Sequence, residues 1–262
     1  MKRSRLSPWN ILWLVLAAVY FLVPLYGSLE FSLETGPGQY GFDAYRTILH
    51  DPQFRNSFLL SLRLAIFTVI ISTVLMVPTV YWVNLKLPRL RRVMETIALL
   101  PFVVPPVVLA VGILRLFASF TWLLSGPQVL VVSYVILALP YTYRSLDAGM
   151  RAMDLRTLTE AAQNMGANWV TVLWRIILPN LRFAMLSAAF LTVTLVMGEY
   201  TMSSLMLFNT FAVYMNYIGG SQANPAAALA MISLALTWVA MLAILFIGRG
   251  SNRRGAHVVG TN

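Results

Sequence analysis

The chain contains no cysteine, which excludes disulfides, thiolate metal sites and cysteine nucleophiles. Charge is also scarce. Charged residues make up 11% of the 262 positions and hydrophobic residues 59%, whereas a soluble globular domain carries about 25% charged residues. The class this points to is a polytopic membrane protein, all-α. Histidine is nearly missing too: His50 and His257 sit at opposite ends without an HExxH partner, so no metal site is expected. The nine acidic residues are scattered. No catalytic set converges, so the chain reads as a non-catalytic protein. It also lacks a GxxxxGK[ST] phosphate loop, so any ATP it depends on must be bound by another polypeptide. No internal repeat, linker or low-complexity stretch divides it, and 1–262 reads as one domain.

The uncharged runs predict six spans, at about 9–29, 64–85, 96–120, 128–143, 183–205 and 226–247, because a spanning helix needs roughly 20 apolar residues. The first follows Lys2, Arg3 and Arg5 like a signal peptide. Its uncharged run of 24 residues, 6–29, exceeds a signal core and lacks a small-residue cleavage site. It reads as a retained span. Pro78, Pro101, Pro105 and Pro106 predict bent helices in spans two and three, tolerated where backbone packs in protein or lines a cavity. Ser125, Gly126 and Pro127 predict the turn into span four. Alternating six spans puts 15 of the 19 basic residues on one side: Lys2, Arg3, Arg5, Lys86, Arg89, Arg91, Arg92, Arg144, Arg151, Arg156, Arg175, Arg182, Arg249, Arg253 and Arg254. That net charge of +10 therefore reports topology rather than nucleic acid, and predicts N-in, C-in. Arg63 and Arg115, near outer span ends, are expected to snorkel to the interface. The outer loop 30–56 holds Glu30, Glu34, Asp43 and Asp51.

One segment breaks the apolar pattern. The loop 144–182, 39 residues long, is too long for a simple connection. Thr157 to Glu160 fits a capping box, followed by the helix formers Ala161, Ala162, Gln163 and Met165. Gly166 suits the left-handed turn that ends a helix. Trp169, Val170, Val172, Leu173, Ile176 and Ile177 then recur at helical spacing, and Pro179 disfavours helix at Leu178. The prediction is helix, glycine bend, short apolar-faced helix, proline stop. Such a hairpin either presents a short helix to a partner or lies on the headgroups.

The fixed positions Glu160, Ala161, Ala162, Gly166, Ile176, Leu178 and Pro179, with their spacing, resemble the EAA signature of ABC-importer permeases. They fall in the expected loop, between the fourth and fifth of six spans. The resemblance implies the type I importer permease fold and a multi-pass place in a bacterial inner membrane. It also implies cytoplasmic ATPase subunits carrying ATP and Mg, a second permease subunit (the same chain or another) and an extracytoplasmic substrate-binding protein. In that family the first helix of this loop couples the spans to the ATPase, a role that passes by resemblance to Glu160, Ala161, Ala162 and Gly166. No cofactor is expected in the chain itself.

Within span five, Gly198, Glu199 and Tyr200 stand out, since a charge near the bilayer centre costs on the order of 3 kcal/mol. Glu199 either faces the solute path and favours a cation, or pairs with an arginine such as Arg115 or with the second permease. The overall pattern looks most like the second permease of a spermidine/putrescine-type system. Permeases for iron(III), thiamine, phosphonate or sulfate share the plan, and a secondary transporter or channel is the competing class. Ala226, Ala230, Ser233 and Thr237 form a small-residue stripe on span six suited to helix packing, and 206–225 predicts a short interfacial helix.

Overall fold

The computed structural model describes residues 8–36 and 38–255, with side chains for 9–36 and 38–242. Lys2, Arg3, Arg5 and His257 lie outside the described residues, as do the side chains of Arg249, Arg253 and Arg254. The described chain is helical apart from one small hairpin. Four helices are long and apolar enough to cross a membrane: α1 (Pro8–Leu33), α3 (Pro52–Leu85), α7 (Gln128–Arg151) and α14 (Ala223–Gly255). Two further apolar stretches are broken. The first comprises α4 (Arg91–Val103) and α5 (Pro106–Leu116), and the bend between 88–103 and 106–116 is 102°. Val104 is extended (φ −85°, ψ 120°), as the residue before a proline prefers, and Pro105 and Pro106 lack the N–H groups that would continue the ladder. The bend predicted in the third span is thus a full break, two helices meeting at Pro105 and Pro106. The second break lies between 169–180 and α11 (Arg182–Gly198), at 73°. Counting each bent pair as one gives up to six crossings.

The chain divides into two compact units. In the first, α1 runs into β1 (Glu34–Gly36) paired antiparallel with β2 (Gln39–Tyr40), then α2 (Asp43–His50). This structure fills the predicted outer loop. Ser32 and Tyr45 share a hydrogen bond of 2.7 Å, and the Tyr214 hydroxyl donates to Asp51 Oδ2 at 2.6 Å. Tyr214 belongs to α13 (Phe211–Ser221), the short helix predicted within 206–225. Of the small-residue stripe, Ala230 is exposed and Ala226 and Ser233 are half-buried, whereas Ala228 and Leu229 are fully buried.

The second unit holds two apolar clusters. One gathers Leu64, Ala65, Ala110, Ile113, Leu130, Tyr134 and Val196. The other gathers Val77, Val80, Tyr81, Tyr143, Leu146 and Met150 with the buried side of the segment 155–181. On α3, Ser57, Ser61, Ala65, Thr68 and Ser72 are buried at helical spacing, and small side chains of this kind let helices approach closely. Two helices approach closely at Gly149, where a Cβ would stand 2.4 Å from Ala184 Cβ. The short helix α6 (Thr121–Leu124) and the turn at 125–127 lead into α7.

Candidate functional site

The predicted hairpin exists, with a different cap. Helix α8 (Leu155–Asn164) begins at Asp154, not Thr157. Asp154 Oδ1 accepts the Thr157 N–H at 3.2 Å and Oδ2 accepts the Thr157 hydroxyl at 2.7 Å. Those two bonds, and the backbone N–H of Arg156, hold the Asp154 carboxyl below its ordinary range. Glu160 does not reach back to Thr157. It pairs with Arg156 at 2.8 Å, one turn earlier on the same face. At the other end Gly166 takes φ +84°. Its N–H donates to Gln163 O and that of Ala167 to Ala162 O, which is the Schellman closure. Asn168 then repeats the aspartate device, accepting the N–H and hydroxyl of Thr171 at 2.8 and 2.9 Å.

Helix α9 (Trp169–Val172) runs through a π-helical turn, Leu173–Ile177, into α10 (Leu178–Asn180). This corrects the expected proline stop: Leu178 is helical (φ −57°, ψ −46°). The wider π turn relieves the clash of Pro179 with the carbonyl one turn back, so the direction changes at Leu181 instead.

Burial separates two faces. Leu155, Thr159 and Ala162 point inward at i, i+4, i+7, and Thr159 hydrogen-bonds the Tyr81 hydroxyl at 3.3 Å. Trp82 packs on Trp169 with ring centroids 5.7 Å apart. Glu160, Ala161, Gln163, Asn164 and Gly166 are exposed, with Met165 82% exposed. Of the signature positions, Ala162 therefore packs inside, at 1% exposure. Ile176 and Leu178 are half-buried against the same cluster, and Pro179 is exposed.

Replacing Asp154 with alanine is expected to fray the start of α8. Amide exchange at Thr157 should quicken roughly fivefold, the size of a typical N-cap loss. Because this carboxyl is depressed, its contribution is complete at neutral pH and fades as the pH falls through the depressed value. Exchange at neutral pH identical to wild type would contradict the assignment.

Glu199 lies where α11 stops. It is extended (φ −78°, ψ 114°), and α12 (Thr201–Leu205) starts two residues later. Its carboxylate accepts the Met202 N–H at 2.9 and 3.1 Å and that of Ser203 at 3.4 Å. A buried carboxylate at a helix N-terminus is stabilised by those donors. Backbone N–H groups, not Arg115, hold it, and Arg63 and Arg115 are exposed. Gly198 faces open space and Tyr200 is exposed.

One charged centre has no signature in the sequence. Asp147, 4% exposed near the end of α7, accepts from Asn84 Nδ2 at 3.0 Å. Its other oxygen meets Arg91 at 3.2 Å and Arg151 at 2.8 Å. Only the i, i+4 spacing to Arg151 could have hinted at it. Among the described residues no group of His, Cys, Asp or Glu could hold a metal.

Residues 81–253 match the model of a family described as binding-protein-dependent transport system inner membrane component. Sulfate permease 2, chloroplastic, of Chlamydomonas reinhardtii is 31% identical over 163 residues, covering 57% of this chain and 43% of that protein. The spermidine/putrescine transport system permease protein PotC of Haemophilus influenzae is 34% identical over 100 residues, 38% of each. The chain thus matches less than half the length of either relative. A solved bacterial alginate ABC transporter, in complex with an alginate pentasaccharide-bound periplasmic protein, shares the fold. Its TM-score is 0.67 at 18% identity, covering 93% of this chain and 92% of the other.

Proposed function

The chain belongs to the family of binding-protein-dependent transport system inner membrane components, and on that premise we propose that its hairpin 155–180 draws drive from a separate ATPase. It is the permease subunit of an ABC importer. In the proposed arrangement it forms half of a solute path across a bacterial inner membrane, beside a second permease subunit and beneath an extracytoplasmic binding protein. The broken stretch 88–116 counts as one span and α11 as another, giving six with α1, α3, α7 and α14, and the hairpin lies on the basic, cytoplasmic side.

One observation carries the coupling reading: α8 is capped at both ends and seated on the Tyr81 cluster by Leu155, Thr159 and Ala162, yet it presents Glu160, Ala161 and Gly166 outward. A rigid seat with a small, polar outer face suits insertion into a partner's cleft. ATP and Mg bind the ATPase. When its two subunits close on ATP, the seated hairpins move with them and the path opens outward, and hydrolysis resets it. Reconstitution tests this. Uptake should require the cognate ATPase, ATP and the binding protein together, whereas uptake by this chain alone on an ion gradient would make it a secondary carrier.

For the solute, the first reading is a polyamine. Its support is the acidic stretch with Glu30, Glu34 and Asp43, the intramembrane Glu199, and the resemblance to a permease named for spermidine and putrescine. Gly198, Glu199 and Tyr200 would then line the cation's path. A second reading, a small oxyanion such as sulfate, is favoured by the longer match to a sulfate permease. Glu199→Gln separates them, because glutamine removes the charge and keeps one oxygen for the Met202 N–H, losing only the second acceptor and its longer bonds at 3.1 and 3.4 Å. On the first reading polyamine uptake falls about tenfold, the equivalent of 1.4 kcal/mol. Unchanged polyamine uptake would leave Glu199 as a helix cap alone.

A further inference from the structure

Helix α4 starts badly. Its first two residues are Arg91 and Arg92, it has no acid in its first turn, and no side chain caps it. Cations at a helix N-terminus oppose the helix dipole. The compensating negative charge comes from a distant part of the chain: Asp147, near the end of α7, ion-pairs Arg91 at 3.2 Å. The same carboxylate holds Arg151 at 2.8 Å and Asn84 at 3.0 Å, and Asn84 Nδ2 also donates to Val80 O near the end of α3 at 2.9 Å. One buried side chain thus ties the end of α3, the start of α4 and the end of α7.

Each of those helix ends borders the seat of the hairpin. Val80 and Tyr81 on α3, Ala98 on α4, and Tyr143, Leu146 and Met150 on α7 share one cluster with Leu155, Ala162, Val172 and Ile177. Beyond it, α4 leads to the 102° bend and α5. Apolar packing is non-directional and tolerates small slips. Charge-assisted hydrogen bonds fix orientation.

We propose that Asp147 is a positioning residue of the transport cycle. It clamps the start of α4 to the hairpin's seat, so that displacement of the hairpin is delivered to the bent pair α4–α5 rather than lost in sliding. This rests on the importer reading, with the hairpin as the ATPase dock.

The test uses the complete importer in proteoliposomes, with its ATPase and binding protein, comparing wild type, Asp147→Asn, Asp147→Glu and Arg91→Gln. The readouts are assembly, basal ATPase, ATPase stimulated by the loaded binding protein, and solute taken up per ATP. Asp147→Asn should assemble and keep basal ATPase within about twofold, but lose at least tenfold in uptake per ATP. Asp147→Glu, which keeps the charge, should recover most of it. Wild-type uptake per ATP in Asp147→Asn overturns the proposal. So does a loss of assembly that tracks the loss of uptake while the ratio is kept, because that is a purely structural role. If Asp147→Asn does not assemble, Arg91→Gln decides in the same way, since it leaves Asp147 its bonds to Arg151 and Asn84. Failure of the importer reading itself shows separately, as wild-type protein whose uptake needs no ATPase.

Discussion

Gly166→Pro is expected to lower ATP-driven uptake at least tenfold while leaving the protein in the membrane. Gly166 holds φ +84°, and proline is locked near −65°. Proline also removes the N–H that donates to Gln163 O at 2.9 Å. Both the bend and the closure of α8 are lost, and the outward face of 160–166 loses its shape. Space is not the issue, because a Cβ at this position meets nothing within 4 Å. Gly166→Ala therefore separates conformation from bulk. It should cost only about 1–2 kcal/mol, the penalty for an L-residue in the left-handed region, and retain most uptake. Uptake measured in vesicles with equal amounts of each variant checks the order. Equal transport by the proline variant would remove the hairpin from the mechanism.

The second large effect is expected at Gly149, where α7 meets α11. An added Cβ would lie 2.4 Å from Ala184 Cβ and 3.1 Å from Leu181 Cδ2, closer than packed carbons tolerate. Gly149→Ala should destabilise by about 1–3 kcal/mol, the range for overpacking, seen as a lower thermal unfolding temperature in detergent. Ala184→Gly in the same chain removes the clashing carbon and should restore more than half of the loss. If the double variant is no more stable than Gly149→Ala, the close approach is not what Gly149 serves.

Much of this architecture was legible in the residues. The apolar runs, the glycine bend and the polar hairpin follow from local chemistry, and the proline-rich stretch 101–106 marked the place where α4 and α5 part. The cap lies three residues before the one the capping box suggests, for an equally local reason. Asp154 and Thr157 both have a plausible partner three residues on, and Asp154 wins by taking both the N–H and the hydroxyl of Thr157. Pro179 does not end the helix, because the rule that ends helices assumes an α-helical turn before the proline, and here the turn is π. Of the two readings of Glu199, the pair with Arg115 gives way to a local one: a helix start two residues away supplies N–H donors. Asp147 was invisible because Asn84 and Arg91 lie 63 and 56 positions away in sequence. Only folding brings them together.

The most direct test of the central claim is cross-linking at the exposed face of α8. The chain has no cysteine, so Ala161→Cys introduces a single thiol at a surface position. In membranes that contain the cognate ATPase with one engineered surface cysteine in its membrane-facing cleft, oxidation should join the two polypeptides. ATP should change the yield, and Ala162→Cys, one residue on but buried, should give little product. No cross-link from Ala161→Cys across a set of cleft positions, in protein that still transports, would contradict the account.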